Sequence, residues 1–328
     1  MQAFSNSFIF FCMIFYNIIK NSFNHLERRV RPFNKELSLS TIIFALFVYL
    51  IWGGNVVSIK IGLDGIPPIA MAGLRFSIGA ICIFIWAKIS SIPLHIKRKE
   101  LIFHLINGVF FMIQISLFYV GMVYATASHA SILINTNPFF IALFAHFFIT
   151  GDTISSRKIF GLLFAFLGII FIFYDKQNIG SFSIAGDAII LLSAFLLSLR
   201  IIYIKRLLES FEPTKVVFWE FLIGVPLFFV SSLLLEGNSQ LNFTLPVIVA
   251  VLYQGIIVAG FCFVASTVLL QRHNPSIMSS FSFAIPLSGV ILSHLLLGDA
   301  ITKNLIFGSL FVIYGIYIVT THRLKNKK

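Results

Sequence analysis

Four ionisable side chains fall inside long apolar stretches: Arg75, Arg200, Glu220 and His129. A charge at the centre of a hydrocarbon layer costs about 3 kcal/mol or more, so such residues turn toward a bundle interior or polar cavity and mark solute or ion paths. Arg75 lies seven residues past Pro68, about 10 Å below one face at a helical rise of 1.5 Å. Glu220 lies seven residues past Pro213, equally far from the opposite face. In a core of about 30 Å the two stand about 9 Å apart along the normal. Arg200 and Asn55 share the spacing of Glu220 and Arg75, 145 residues in each case. Arg200, about 8 Å from the inner face by the same count, suits Glu220 as a partner, and the repeat then gives two couples, Asn55 with Arg75 and Arg200 with Glu220. Either binds a charged group of a solute or exchanges a proton. The competing assignment has Arg200 snorkelling beside Lys205 and Arg206, with a purely structural acid at 220.

Ser128, His129, Ser131, Asn135, Thr136 and Asn137 precede Pro138 in the most polar of the apolar stretches. Ser128, Ser131 and Asn135 fall on one helical face. A polar stripe beside a proline break suits a water-filled cavity, while hydrogen bonding between helices is the plainer alternative. Gln114 and Gln254 lie near mid-depth. His129 either titrates near neutrality or packs with a hydrogen bond. The candidate solute ligands are therefore Arg75, Asn55, Gln114, His129, Asn135 and Gln254, with Glu220 and Arg200 as a coupling or ion pair. Trp52 and Trp219 are candidate cavity walls.

Catalytic chemistry finds no footing. No phosphate-cradling glycine loop with Lys and Ser/Thr occurs, no His, Asp and Glu cluster has metal spacing, and no Gly-x-Ser-x-Gly elbow is present. Cys12, Cys82 and Cys262 have no paired spacing. No cofactor and no metal are expected.

The elements that position these residues follow from composition. Hydrophobic residues make up 58% of the 328-residue chain and charged residues 11%, too few charges to cover a soluble fold, which carries about 25%. Apolar runs long enough to cross a bilayer recur instead, and only helices satisfy the backbone of such runs in lipid. The predicted spans are 40–61, 67–88, 101–124, 127–149, 157–174, 184–204, 214–235, 246–270, 275–297 and 302–320. With both termini inside, nineteen of the twenty-four Lys and Arg residues fall in inner segments and three, Lys60, Lys176 and Lys303, in outer ones. The positive-inside rule thus places both ends in the cytoplasm and the chain in the cell (inner) membrane. The net charge of +12 is spread over short loops and tails, not one face, so no nucleic-acid partner is expected. Residues 8–19 form an apolar run too short for an ordinary span, and it precedes its basic stretch, unlike a signal peptide.

The chain also repeats itself. Gly151-Asp152 onward matches Gly298-Asp299 onward at an offset of 147, Pro138 and His146 match Pro286 and His294 at 148, and Pro68, Phe76, Ile78 and Gly79 match Pro213, Phe221, Ile223 and Gly224 at 145. Five spans per copy is an odd number, so the second copy enters the membrane from the other side. Inverted repeats of this kind carry a solute site at the midplane between the halves. The expected fold is all-α, ten transmembrane helices in two inverted five-helix repeats. Residues 1–37 form an extension, cytoplasmic or interfacial, 38–175 and 183–322 the repeats, and 323–328 a basic tail. Glycines 161, 168, 308 and 315, spaced by seven in each copy, are assigned to close helix packing.

Trp52-Gly53-Gly54-Asn55 with Ser58-Ile59-Lys60, Pro67-Pro68, and Ala72-Gly73-Leu74-Arg75-Phe76 resemble the first two helices of the EamA family of the drug/metabolite transporter superfamily. Ala125-Thr126-Ala127-Ser128, Ala130-Ser131 and Pro138 resemble its fourth helix. The two Gly-Asp pairs resemble the Gly-Glu that follows its fourth and ninth helices, with Asp in place of Glu. The resemblance covers residues 38–322 and implies a ten-helix carrier of small metabolites, often amino acids. The expected function is secondary transport by alternating access, driven by protons or by exchange. The expected partners are a small solute and the lipid bilayer, with the oligomeric state open between monomer and homodimer. A lipid-modifying enzyme would need paired acids or histidines at one interface, and a channel a charge ring or filter. Neither appears.

Overall fold

The computed structural model describes residues 37–125, 130, 133–173, 184–237, 241–288 and 303–320, and the described regular structure is entirely helical. The helices are α1 (Leu39–Leu63), α2 (Pro68–Ile89), α3 (Leu101–Tyr124), α4 (Asn137–Phe148), α5 (Ser156–Phe173), α6 (Ile184–Leu207), α7 (Pro213–Leu235), α8 (Leu245–Arg272), α9 (Pro275–Ser280) and α10 (Lys303–Thr320). A 3₁₀ turn at Phe281–Ala284 continues α9. The middle of α8, Tyr253–Cys262, is π-helical. Each predicted span holds one of these helices. Among the described residues α1, α2, α3, α6, α7 and α8 are long and apolar enough to cross a membrane. The 1–37 extension and the 323–328 tail lie outside the described residues, except for Leu37.

The boundaries follow local chemistry. Ser38 caps α1, its Oγ accepting from Thr41 N at 3.2 Å. Pro68, Pro213 and Pro275 each occupy the first position of their helices, where a missing N–H costs nothing. Pro67 and Pro68 leave Ile69 and Ala70 as the first N–H donors of α2. The Glu236 carboxylate takes both, at 2.6 and 3.0 Å, from the C-terminal end of α7. The helices stop at Gly151 and Gly237, whose φ values of +82° and +62° suit glycine.

The outward faces expose Phe47, Trp86, Phe160 and Leu234, as lipid-facing helices do and water-facing ones do not. The core is aromatic. Phe76 of α2 and Phe221 of α7, equivalent across the repeat, pack with ring centroids 4.8 Å apart and planes tilted by 50°, and Phe111 and Phe263 close around them at 4.6–5.6 Å.

Contacts recur in exchanged pairs. A Cβ on Gly108 of α3 would lie 2.7 Å from Ile223 Cβ of α7, and one on Gly255 of α8 would lie 2.6 Å from Ile78 Cβ of α2. Ile78 and Ile223 are the matched positions of the sequence repeat, and so by offset are the two glycines. Helix α5 lies against α10 in the same manner. Cβ atoms at Gly161 and Gly168 would fall 2.9 and 2.6 Å from the carbonyl oxygens of Gly315 and Gly308, so these glycines set the approach of the two backbones.

Two lysines repeat a role as well. Lys60 Nζ donates to Met122 O and, at 3.0 Å, to Ala125 O, at the end of α3. Lys205 Nζ donates to Leu270 O, Gln271 O and His273 O, at the end of α8. The acceptor pairs Met122/Ala125 and Leu270/His273 are separated by the same 148 residues that relate the halves. A cation on carbonyls without helical partners stabilises a helix C-terminus. Lys205, counted from sequence as an inner-loop charge, is thus a buried cap, 2% exposed.

Candidate functional site

A cavity of about 180 Å³ lies among α1, α2, α3, α4, α6, α7, α8 and α9. Its polar lining includes Asn55, Arg75, Gln114, Asn135, Arg200 and Glu220. Trp52, Phe118 and Phe263 supply apolar walls. Six of the sequence candidates are therefore brought together. His129 lies outside the described residues. Gln254 does not line the cavity, for a reason given below. Trp219, a candidate wall, turns away, and its Nε1 donates to Leu94 O at 2.7 Å.

Helices α6 and α7 position the ion pair. Arg200 Nη1 bonds Glu220 Oε1, with the two side chains 5% and 1% exposed. Arg200 does not snorkel to the surface, because its charge is matched in the interior. Asn107 of α3 gives Nδ2 to Glu220 Oε2 at 2.7 Å, so each carboxylate oxygen has a donor. The guanidinium carbon lies 5.1 Å from the centroid of the Phe111 ring. Asn107 was not among the sequence candidates. By the offset of the matched glycines it is the counterpart of Gln254, the only signal that could have raised it.

Arg75 is built differently. It makes no ion pair with any described residue. Its Nη1 donates to Tyr119 Oη at 2.9 Å, and its Nε has no hydrogen-bond partner. Its guanidinium carbon stands 4.6 Å from the Phe76 ring centroid and 5.8 Å from that of Phe263. The side chain is 2% exposed. Tyr119 Oη in turn donates to Gln254 Oε1 at 2.9 Å, and Gln254 Nε2 donates to Ser58 O at 2.9 Å. Gln254 thus stands behind Tyr119, outside the cavity wall. Sequence reasoning missed Tyr119, since a tyrosine in an apolar helix reads as core.

Two amide oxygens complete the polar lining. Gln114 Nε2 donates to Ser193 Oγ, whose own proton goes to the Gln114 backbone oxygen, both at 3.0 Å. That exchange fixes the amide orientation and leaves Gln114 Oε1 without a partner. Asn55 Oδ1 also lacks one. An unmatched buried polar atom costs about 1–3 kcal/mol. Asn55, Arg75 and Gln114 thus line the cavity, and each carries a buried polar atom, one guanidinium donor and two amide acceptors, that the described protein leaves unmatched. No cluster of metal-ligating side chains occurs among the described residues.

Below this region a second buried ionic group joins α9 to the α4–α5 loop. Asp152 accepts from Lys158 Nζ, from Ser276 Oγ and, at 3.1 Å, from Ser276 N in the first turn of α9. Lys158 Nζ also donates to Ser276 Oγ at 2.9 Å. The aspartate that stands where the resembled family has a glutamate has close partners on both sides.

Comparison with known proteins bears on the chain as a whole. The EamA-like transporter family matches residues 39–174 and again 184–321. The uncharacterized transporter YoaV of Bacillus subtilis (strain 168) is 27% identical over 278 residues, spanning 83% of this chain and 94% of its own. A probable amino-acid metabolite efflux pump of Escherichia coli (strain K12) is 26% identical over 285 residues, spanning 84% and 93%. A solved crystal structure superposes with a TM-score of 0.73 at 17% identity, covering 86% of this chain and 98% of that one, which shows the shared fold. With its two halves each matched by the same family, the chain belongs to the EamA-like transporter family, a membrane transporter of small solutes and not an enzyme.

Proposed function

We propose that this chain is a secondary carrier of amino acids or closely related metabolites, working by alternating access between two inverted five-helix repeats. Ten membrane spans and cytoplasmic termini in the inner membrane belong to this reading. The observation that carries it is the polar set of the cavity. Arg75 is a buried cation with no acid against it among the described residues, and Asn55 and Gln114, which line the same cavity, each hold a buried amide oxygen without a hydrogen-bond partner. A solute carrying a carboxylate and an ammonium group matches both, the carboxylate on the guanidinium edge and the ammonium on the amide oxygens. Exchanged contacts across the halves support the inverted repeat, and the name of the Escherichia coli relative supports export of amino-acid metabolites. Glu220 and Arg200, already neutralised by each other, are the coupling couple.

Counterflow in proteoliposomes tests this. Vesicles loaded with unlabelled L-amino acids should accumulate a labelled one with saturation. Arg75→Lys, inserted at equal abundance, should weaken uptake at least tenfold, because an ammonium cannot offer the two-pronged edge of a guanidinium. No counterflow with any amino acid, or unchanged affinity in both Arg75→Lys and Arg75→Ala, refutes the proposal.

A further inference from the structure

Behind Arg75 runs a file of buried polar groups drawn from three other helices: Tyr119 of α3, Gln254 of α8 and Ser58 of α1, each link 2.9 Å long. Its direction is forced by chemistry. A guanidinium can only donate, so Tyr119 Oη accepts from Arg75. Its single proton then goes to Gln254 Oε1, which turns Gln254 Nε2 toward Ser58 O. Tyr119 and Gln254 are each 0% exposed, so no water competes for these bonds. The file ends on that backbone carbonyl; the Ser58 hydroxyl is engaged separately, its Oγ donating to the Asn55 backbone oxygen at 2.9 Å.

We propose that Tyr119 and Gln254 are positioning residues that fix the Arg75 guanidinium in the cavity wall, and so set the preference for a planar carboxylate over a neutral carboxamide. This rests on the reading of the cavity as a solute site. With Nη1 committed to Tyr119 and the ring of Phe76 near the guanidinium, the side chain cannot rotate without losing a charge-assisted bond. The other half supplies a comparison. Asn107 and Gln254 occupy matched positions on α3 and α8, and Glu220 and Arg75 matched positions on α7 and α2. In each case the amide orients the charged residue of the opposite half, directly for Glu220 and through the Tyr119 hydroxyl for Arg75. Gln254 lies in the π-helical stretch of α8, whereas α3 is regular around Asn107. π-helical turns concentrate at functional sites.

Two measurements decide the matter. The first uses purified protein in nanodiscs and reads thermal stabilisation by each L-amino acid against its own amide. Tyr119→Phe and Gln254→Leu should each reduce the preference for the carboxylate about tenfold, the effect of one lost bond to a charged group. The double variant should lose no more, since the file is already broken. The second needs no solute and reads unfolding in a cycle of Arg75→Met and Gln254→Leu, residues joined through Tyr119. Their effects should couple by about tenfold in the unfolding equilibrium, and the coupling should vanish in a Tyr119→Phe background. Additive effects overturn the proposal. Coupled stability with an unaltered carboxylate preference in both variants also overturns it, by showing a purely structural file. A wild-type protein that distinguishes no amino acid from its amide refutes the solute class proposed above and the carboxylate preference with it, while the cycle still shows whether Tyr119 and Gln254 hold Arg75.

Discussion

Replacing Glu220 with glutamine removes the negative charge from a pair whose side chains are 1% and 5% exposed. Two donors converge on the carboxylate, Arg200 Nη1 and Asn107 Nδ2. Glutamine keeps one acceptor oxygen, which Arg200 claims. Its amide nitrogen then faces Asn107, whose Oδ1 has no partner and can turn inward to accept. Hydrogen bonding is therefore nearly restored and the loss is that of the charge itself. Breaking a buried ion pair costs about 3–5 kcal/mol, and this adjustment puts Glu220→Gln at the lower end, about 3 kcal/mol. That is roughly a hundredfold in the unfolding equilibrium. Arg200→Gln should cost less, because a carboxyl left alone can take up a proton. The double variant carries no buried charge at this site and should return to within about 1 kcal/mol of the parent. Unfolding by SDS titration of the four proteins in mixed micelles reads the cycle, and counterflow at equal protein abundance reads the function. Recovered stability without transport assigns the couple to coupling or solute binding. Destabilisation that simply adds in the double variant refutes the ion-pair reasoning, and wild-type transport by the double variant removes any direct role for the couple.

Three further outcomes follow from other parts of the fold. In a background without native cysteines, Ser156→Cys should react with an impermeant maleimide only from the cytoplasmic side and Asn242→Cys only from outside; labelling of Ser156→Cys in intact cells refutes the orientation. Asp152→Glu should destabilise by about 1–3 kcal/mol, because an added methylene must fit between Lys158 Nζ and the first turn of α9 at a site 1% exposed; unchanged thermal stability would show that the loop yields. Gly108→Ala and Gly255→Ala should lower the yield of folded protein to similar extents, since each added Cβ meets a matched isoleucine at 2.7 and 2.6 Å; a severe effect from one and none from the other, in size-exclusion profiles, would contradict the exchanged packing.

Much of the architecture is written along the chain. Hydrophobic run length sets where helices form, because lipid leaves no other way to satisfy the backbone, and prolines and glycines at 68, 151, 213, 237 and 275 mark where they start and stop. Depth counted along the helices sets Arg200 near Glu220, and the repeat offset of 145 carries the same pairing to Asn55 and Arg75. What the sequence could not supply is which neutral groups complete these charges. Asn107 reaches Glu220 across 113 residues, Tyr119 reaches Gln254 across 135, and Asp152 reaches Ser276 across 124. No local period encodes such partners. A tyrosine or asparagine in an apolar helix has the same pattern whether it faces lipid, packs in the core or holds an arginine. Only the rotation of each helix about its axis, set by close approaches such as Gly108 on Ile223 and Gly255 on Ile78, decides which side chain meets which charge. That rotation is a property of packed neighbours, and so it belongs to the tertiary structure.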